Sequence, residues 1–87
     1  MPSTTFPATI LDPDGTTTLV RANVTMWRDS RGQWAGIFSV PLDAPISKGG
    51  VYRLQADDGR SGEIVVAKVV ARPGGQTISF EVSGLFK

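Results

Sequence analysis

The most chemically suggestive part of this sequence is a short segment rich in aromatic and arginine residues. It contains Trp27, Arg28, Arg31, Trp34 and Phe38. Large rings offer a rigid contact area, and tryptophan and arginine are enriched at the energetic centres of protein interfaces. If the three rings share an exposed face, they form an apolar patch typical of a binding surface for a protein partner or a second copy of the chain. The alternative is that the rings belong to the core.

The same residue types could bind single-stranded nucleic acid, in which bases stack on aromatic rings along a basic groove. Arginines at positions 21, 28, 31 and 53 are interleaved with the aromatic residues. However, the chain has 9 basic and 8 acidic residues and a formal net charge of +1, so it lacks the basic excess typical of such a groove. Nucleic-acid binding is therefore the second function hypothesis. A small-molecule site in the mouth of a barrel is the third.

The aspartates are better explained by turns than by metal binding or catalysis. The segment Asp12–Gly15 resembles the start of a calcium loop, but Thr16 stands at the third ligand position and Asn23 stands where the loop needs a glutamate. Asp57 and Asp58 are neighbours at the tip of a predicted hairpin, where their side chains point apart into solvent. We therefore predict no metal site and turn-forming roles for these carboxylates.

The residue inventory narrows the function classes further. The chain has no cysteine and no histidine, so disulfides, the usual zinc sites and histidine-dependent nucleophiles are absent from it. The glycine pairs Gly49-Gly50 and Gly74-Gly75 lack the following lysine and hydroxyl residue that phosphate-cradling loops carry. We therefore predict a protein that is not an enzyme and that holds neither cofactor nor metal.

The elements that position these residues are organised around a long hairpin, Gly50–Arg72, in which apolar and polar residues alternate. A three-residue loop at 57–59, with its glycine at positive φ, faces Arg53 with Glu63. A two-residue loop would instead set Arg53 against the apolar Ile64. Because matched cross-strand pairs stabilise a sheet, we predict the three-residue loop.

The second strand of this hairpin needs an irregularity near its middle. If the alternation continued unbroken from Val66, it would place Lys68 inside the core. One extra residue near Ala67 and Lys68 turns the lysine outward and returns Val69 and Ala71 to the core face. We therefore predict a bulge or sharp bend at this point.

Three further strands precede this hairpin, and the third follows the turn at 29–32. In the first, Thr4–Leu11, Phe6, Ala8 and Ile10 alternate with other residues, and Pro7 places the strand at an edge because proline cannot donate to a ladder. In the second, Thr16–Arg28, the core face is formed by four alternate residues, Val20, Ala22, Val24 and Met26.

The next turn decides where the aromatic rings point. We predict a four-residue loop, Asp29–Gly32, which pairs Trp27 with Trp34 and Val24 with Ile37. This register places Ala35 and Ile37 in the core. It also predicts that Trp27, Trp34 and Phe38 lie together on the outer face.

The remaining chain supplies one long connection and one strand. The connection Pro41–Gly50 contains two prolines and a glycine pair, so we expect it to cross an end of the domain with Leu42 or Ile46 plugging the core. The last strand, Thr77–Phe86, has a clear core face, interrupted by a glycine, formed by Ile78, Phe80, Val82 and Phe86.

Together these elements predict an all-β fold without a long helix, forming a single domain over residues 1–87. Six strands joined by tight turns predict a small antiparallel barrel, SH3-like or OB-like in size, or a strongly bent β-sandwich. Long strands that carry glycines and a bulge favour the barrel. Small bacterial barrels generically have these features, and no stretch carries the signature of a particular family.

The size of the chain and its first residues bear on assembly and location. A domain of 87 residues has a modest core, so self-association would stabilise it. The first residues lack a signal-peptide pattern and no run reaches transmembrane length, so we expect a cytoplasmic protein without membrane contact. Our first hypothesis is a non-catalytic binding or assembly module acting as a homo-oligomer or on a protein partner. Its contacts would come from the aromatic face or from strand-edge pairing at the Pro7 strand.

Overall fold

The computed structural model describes residues 3–87, so the first two residues of the predicted domain lie outside the description. Its secondary structure consists of strands, namely β1 (Thr4–Leu11), β2 (Thr18–Arg28), β3 (Trp34–Val40), β4 (Val51–Ala56), β5 (Ser61–Arg72) and β6 (Gly75–Ser83). Across residues 3–87 the chain forms no helix of the length and apolarity that crossing a membrane takes.

The strands form one closed antiparallel barrel in the order β1-β2-β3-β6-β5-β4. This confirms the predicted all-β, six-stranded barrel over the sandwich. β1 closes the barrel because it pairs with β2 along its whole length and with β4 from Ala8 to Leu11. Within β1, only the first half lacks a strand on one side, so the strand-edge pairing predicted for the Pro7 strand would be confined to this short stretch.

Pro7 lies where the closing ladder ends. Its carbonyl oxygen accepts a hydrogen bond of 3.1 Å from the backbone N–H of Asp57, on the side of β4. The N–H and C=O of a residue in a strand point to the same side, so the donor that proline lacks would face a position beyond the last β1–β4 pair. The sequence places proline where its missing donor breaks no ladder hydrogen bond.

The interior of the barrel is filled by one row of side chains from each strand. This confirms the core faces predicted for β1, β4 and β6, and the inward position of Val24 and Met26 on β2. The largest side chains that are fully buried are Phe80, Ile10, Met26, Leu54, Ile64, Ile78, Val24 and Val66.

The β4–β5 hairpin has the predicted loop and register. Arg53 faces Glu63, and Gly59 has a φ of 100° in the three-residue loop. The predicted bulge lies between Val66 and Lys68, and Lys68 is exposed. Ala71, predicted to face the core, is instead exposed. The reason is that β4 pairs with β5 only as far as residue 65, so the end of β5 extends past the strand that would cover it.

The register of the β2–β3 hairpin differs from the prediction by one residue. The backbone N–H of Asp29 donates to the carbonyl of Gln33 at 2.8 Å, and Gly32 has a φ of 79°, so the loop between this closing pair has three residues. Trp34 consequently faces Arg28 across the ladder. A shift of one residue inverts both faces of a strand.

The inverted β3 exchanges core and surface. Phe38 is only 2% exposed and packs against Phe80, with ring centroids 5.7 Å apart. Ile37, predicted to lie inside, is 39% exposed on the outer face. Gly36 takes the inward position between Trp34 and Phe38, where a β-carbon would lie 2.6 Å from the Phe80 ring. This glycine therefore makes room for Phe80.

One end of the barrel is closed by the connection between β3 and β4. Ile46 is the residue that plugs the core, whereas Leu42 is 55% exposed. The Tyr52 hydroxyl accepts a hydrogen bond of 2.9 Å from the backbone N–H of Ser47, and the buried Gln76 side chain donates to the carbonyl of Pro41 at 3.1 Å. The connection is thus held from inside the barrel.

The other end is closed by residues 84–87, which we call the tail. Ser83 pairs with Glu63, and the backbone N–H of Lys87 then donates to the carbonyl of Ser61 at 2.9 Å, so the tail holds two residues more than a regular ladder would. The predicted final strand therefore ends at Ser83 rather than Phe86. Phe86 nevertheless packs against the core from the tail, as its predicted inward position implies.

Candidate functional site

The predicted aromatic patch does not exist as one surface. Phe38 is a core residue, so it is unavailable to any partner. Trp27 lies on the outer face of β2 opposite Ala35, while Trp34 lies on the inward row of β3. Both tryptophans are half-buried. The prediction that Trp27, Trp34 and Phe38 share an exposed face is therefore wrong, because the β2–β3 register is shifted by one residue from the predicted one.

The structure instead brings Trp34 together with Arg28. The two residues are the last cross-strand pair of β2 and β3, and the guanidinium carbon of Arg28 lies 5.0 Å from the centroid of the Trp34 ring. This is a cation–π contact, which restrains the orientation of both side chains. The inward rows of β2 and β3 reach the end of the barrel at this pair. Trp34 therefore packs against the edge of the core and also reaches solvent.

A cleft of about 370 Å³ lies beside this pair, between the β2–β3 turn and the tail. We call it the end cleft. Arg28, Trp34 and the turn residues Gly32 and Gln33 line one wall, the tail lines the other, and Val82 lies between them. Leu85 of the tail has 70% of its surface exposed, the largest fraction for any large hydrophobic residue in the described range. The end cleft thus combines an indole, an aliphatic side chain and a guanidinium in one concave surface.

The tail wall is positioned by a glycine. A β-carbon on Gly62 would lie 2.8 Å from the carbonyl oxygen of Leu85 and 3.0 Å from Cδ1 of Phe86. On its far side, the Phe86 ring lies 6.1 Å from Phe6, and the Arg60 guanidinium sits 5.4 Å from each of these rings. The tail therefore crosses the barrel end at a place where only glycine leaves room for it.

Positive charge predominates in the end cleft. Arg28 and Lys87 line it, and no aspartate or glutamate does. Arg31 lies in the same turn, next to the lining residue Gly32, but does not itself line the cleft. Within residues 3–87 the ion pairs are Arg21–Asp57 and Arg60–Asp58, so the cleft cations are not among the paired side chains. The acidic neighbour in the turn, Asp29, accepts backbone hydrogen bonds of 2.9 Å through Oδ1.

The remaining aspartates that sequence reasoning considered act within turns. Asp57 binds Arg21 at 2.8 Å, and this hydrogen bond lowers the pKa of its carboxyl group. Asp58 binds Arg60 at 2.9 Å, and its pKa is lowered chiefly by the backbone N–H of the same arginine. Asp12 accepts the backbone N–H of Thr16 at 2.9 Å, which likewise lowers its pKa. The carboxylates at positions 57 and 58 point apart, as predicted, but each binds an arginine, which was not predicted.

Two other observations complete the surface. A more open groove of about 470 Å³ runs along the outer face of β1, and the Arg21–Asp57 ion pair closes part of it above Thr9. Among residues 3–87, no three acidic side chains lie close enough together to hold a metal ion. The end cleft differs from this groove in being lined by aromatic residues, Trp34 and Phe86.

Sequence reasoning found Arg28, Arg31 and Trp34 but missed the tail wall. The available signal was the sequence Gly84-Leu85-Phe86, in which a glycine after the last regular strand is followed by two adjacent apolar residues. Strict alternation would place one of the two in solvent, and the structure does so with Leu85.

The chain was compared with known proteins at the level of family, sequence and structure. No protein-family model, curated protein or solved structure matches it.

Proposed function

We propose that this protein is a non-catalytic binding module that holds a segment of a partner protein in the end cleft. The observation that carries the proposal is that the exposed Leu85 and the Arg28–Trp34 pair line the same cleft. A leucine that is 70% exposed contributes little to folding, and it gains a favourable contact once another surface covers it. Tryptophan and arginine beside it are the residue types that most often dominate binding energy.

The Arg28–Trp34 contact and the low net charge favour a protein segment over nucleic acid as the occupant of the end cleft. Bases bind by stacking on free aromatic faces. Here the Arg28 guanidinium already lies over the Trp34 ring, so a base would have to displace it. The net charge of +1 also gives little of the electrostatic attraction on which nucleic-acid binding depends. A partner that brings an aliphatic or aromatic side chain can contact Leu85 and Trp34 without moving Arg28.

The partner is either a different protein or a second copy of this chain. Self-association remains our prediction for a domain with so small a core. We also expect the protein to act in the cytoplasm. Trp27 lies outside the end cleft, so its part in binding is no longer required by the proposal.

The proposal is tested by placing a photocrosslinking amino acid at position 85 and, as a matched control, at position 42. Leu85 and Leu42 are both exposed leucines, but they lie at opposite ends of the barrel. After irradiation of cells that express each variant, we expect a protein adduct from position 85 and none from position 42. The mass of the adduct distinguishes a different protein from a second copy.

Three results would contradict the proposal. They are the absence of an adduct at position 85, equal adducts at both positions, and an adduct that contains nucleic acid. As a further check, Trp34→Leu combined with the crosslinker at 85 should reduce the adduct while the variant keeps its sheet content by circular dichroism. If the yield does not change in the folded variant, Trp34 is not part of the binding surface.

A further inference from the structure

We infer that the occupant of the end cleft is a short extended segment that carries acidic side chains on either side of one apolar side chain. This inference rests on the proposed function and names the chemistry of the partner. Its basis is the charge of the cleft, the position of Arg28 and the size of the concavity.

The basic side chains of the cleft are available to a partner. The arginines at positions 21 and 60 are engaged with aspartates at 2.8 and 2.9 Å. Arg28 and Lys87, which line the cleft, belong to no ion pair within residues 3–87, and no aspartate or glutamate lines it. A partner with acidic residues at this place would gain complementary charge, which favours both fast association and discrimination against basic partners.

Arg28 is prepared for such a contact. The Trp34 ring restrains its guanidinium at 5.0 Å, so less side-chain freedom is lost when a carboxylate binds. A guanidinium can hold a carboxylate through two parallel hydrogen bonds. Lys87 also lines the cleft, and its ammonium group can hold a second carboxylate.

The size of the cleft favours a short segment over a broad surface. A volume of about 370 Å³ is near the lower end of the range of small-ligand pockets, roughly 300–1,000 Å³. Such a space accommodates one large side chain between Trp34 and Leu85, with its flanking residues at the rim. The apolar residue would therefore occupy the cleft, and its acidic neighbours would reach Arg28 and Lys87.

The test uses a library of random short peptides displayed on phage and selected against the purified full chain. We expect the selected peptides to carry aspartate or glutamate next to leucine, isoleucine or an aromatic residue. A synthetic selected peptide with a fluorescent label then gives affinities by anisotropy. Arg28→Gln should weaken binding by about tenfold or more, as expected for loss of a charged hydrogen bond.

Two matched variants separate this inference from the proposed function. Arg72→Gln removes an exposed arginine at the opposite end of the barrel and should leave the affinity unchanged, while Leu85→Asp adds an acid to the cleft and should weaken binding. Raising the salt concentration should weaken binding to the wild-type protein more than to the Arg28→Gln variant.

Each alternative result contradicts a defined part of the argument. If the selected peptides lack acidic residues but bind the Leu85→Asp variant more weakly than the wild type, the inference of an acidic segment is contradicted. The proposed binding function is then still supported. Acidic peptides that bind the wild type and Arg28→Gln equally would contradict the inference of an acidic segment too. Failure to select any peptide, or binding unaffected by Leu85→Asp, would contradict the module itself. Oligothymidine binding that depends on Arg28, with no peptide binding, would assign the cleft to nucleic acid.

Discussion

Gly62 is the residue on which the position of the tail depends, so Gly62→Ala is the most informative single substitution in this chain. The added β-carbon would meet the carbonyl oxygen of Leu85 at 2.8 Å, a backbone atom that cannot rotate away. Gly62 does not have a positive φ, so alanine fits the strand backbone itself. The expected result is that the tail leaves the barrel end while the strands keep their register.

The size of the effect follows from what the tail contributes. Truncating a fully buried phenylalanine to alanine costs about 3–5 kcal/mol, so displacing the half-buried Phe86 should cost roughly 2 kcal/mol. Replacing glycine by alanine restricts the unfolded chain and returns about 0.4–1 kcal/mol. The free energy of unfolding should therefore fall by roughly 1–2 kcal/mol, which corresponds to a decrease in Tm of about 4–8 °C per kcal/mol.

Urea denaturation of Gly62→Ala, Phe86→Ala and the double variant measures this coupling. Both single substitutions act by removing the same contact, so the double variant should lose clearly less than the sum of the two. Full additivity would refute the reasoning, as would a Gly62→Ala variant as stable as the wild type. An unchanged dependence of stability on urea concentration would show that the same overall structure unfolds in each case.

Two further predictions concern the register of β3 and the ion pair between Arg21 of β2 and Asp57 of the β4–β5 loop. Phe38→Ala should lower the free energy of unfolding by about 3–5 kcal/mol, and Ile37→Ala by about 1 kcal/mol or less, because only Phe38 is buried; urea denaturation giving the opposite order would invert the assigned faces. The Arg21 hydrogen bond holds the pKa of Asp57 below its unfolded value of about 3.9, so its stabilisation is complete above that pH and is lost as the pH falls through the folded pKa. Asp57→Asn should therefore reduce the decline of Tm below about pH 4, and an unchanged slope would contradict the assignment.

The fold was predictable from the sequence where the two sides of a strand differ in polarity. In the β4–β5 hairpin, only one register faces Arg53 with Glu63, so the pairing itself selects the loop. The bulge near Lys68 was predictable for a related reason, because an unbroken ladder would bury a lysine. The alternation of side chains therefore distinguishes two possible registers only when the wrong register would bury a charged residue.

β3 lacks such a charge. Trp34 and Phe38 on one face compete with Ala35 and Ile37 on the other, and either set could fill the core. The turn chemistry was the better guide. The loop after Asp29 has the same hydrogen bonds as the loop after Ala56, with a positive-φ glycine before the closing residue. Applying one rule to both turns would have placed Phe38 inside.

The candidate site was only half predictable. Residue type alone identifies Arg28, Arg31 and Trp34 as candidates. The tail wall could not be predicted in this way, because two extra residues after Ser83 interrupt the alternation of inward and outward side chains. Its indirect signal is Gly62, the second residue of β5, because a glycine within a strand often marks the close approach of another backbone.

Closure of the barrel has a consequence for how the chain reaches its native state. The β1–β4 ladder pairs Ala8 with Ala56. The β3–β6 ladder joins two strands that are separated in sequence by β4 and β5. Each of these two ladders closes a large loop of the chain. The conformational entropy of that loop is therefore lost before the hydrogen bonds of the ladder can form. We expect refolding on the millisecond-to-second timescale typical of small β-barrels. The three hairpins with the shortest loops, β2–β3, β4–β5 and β5–β6, should form early, and the β1–β4 ladder should form last.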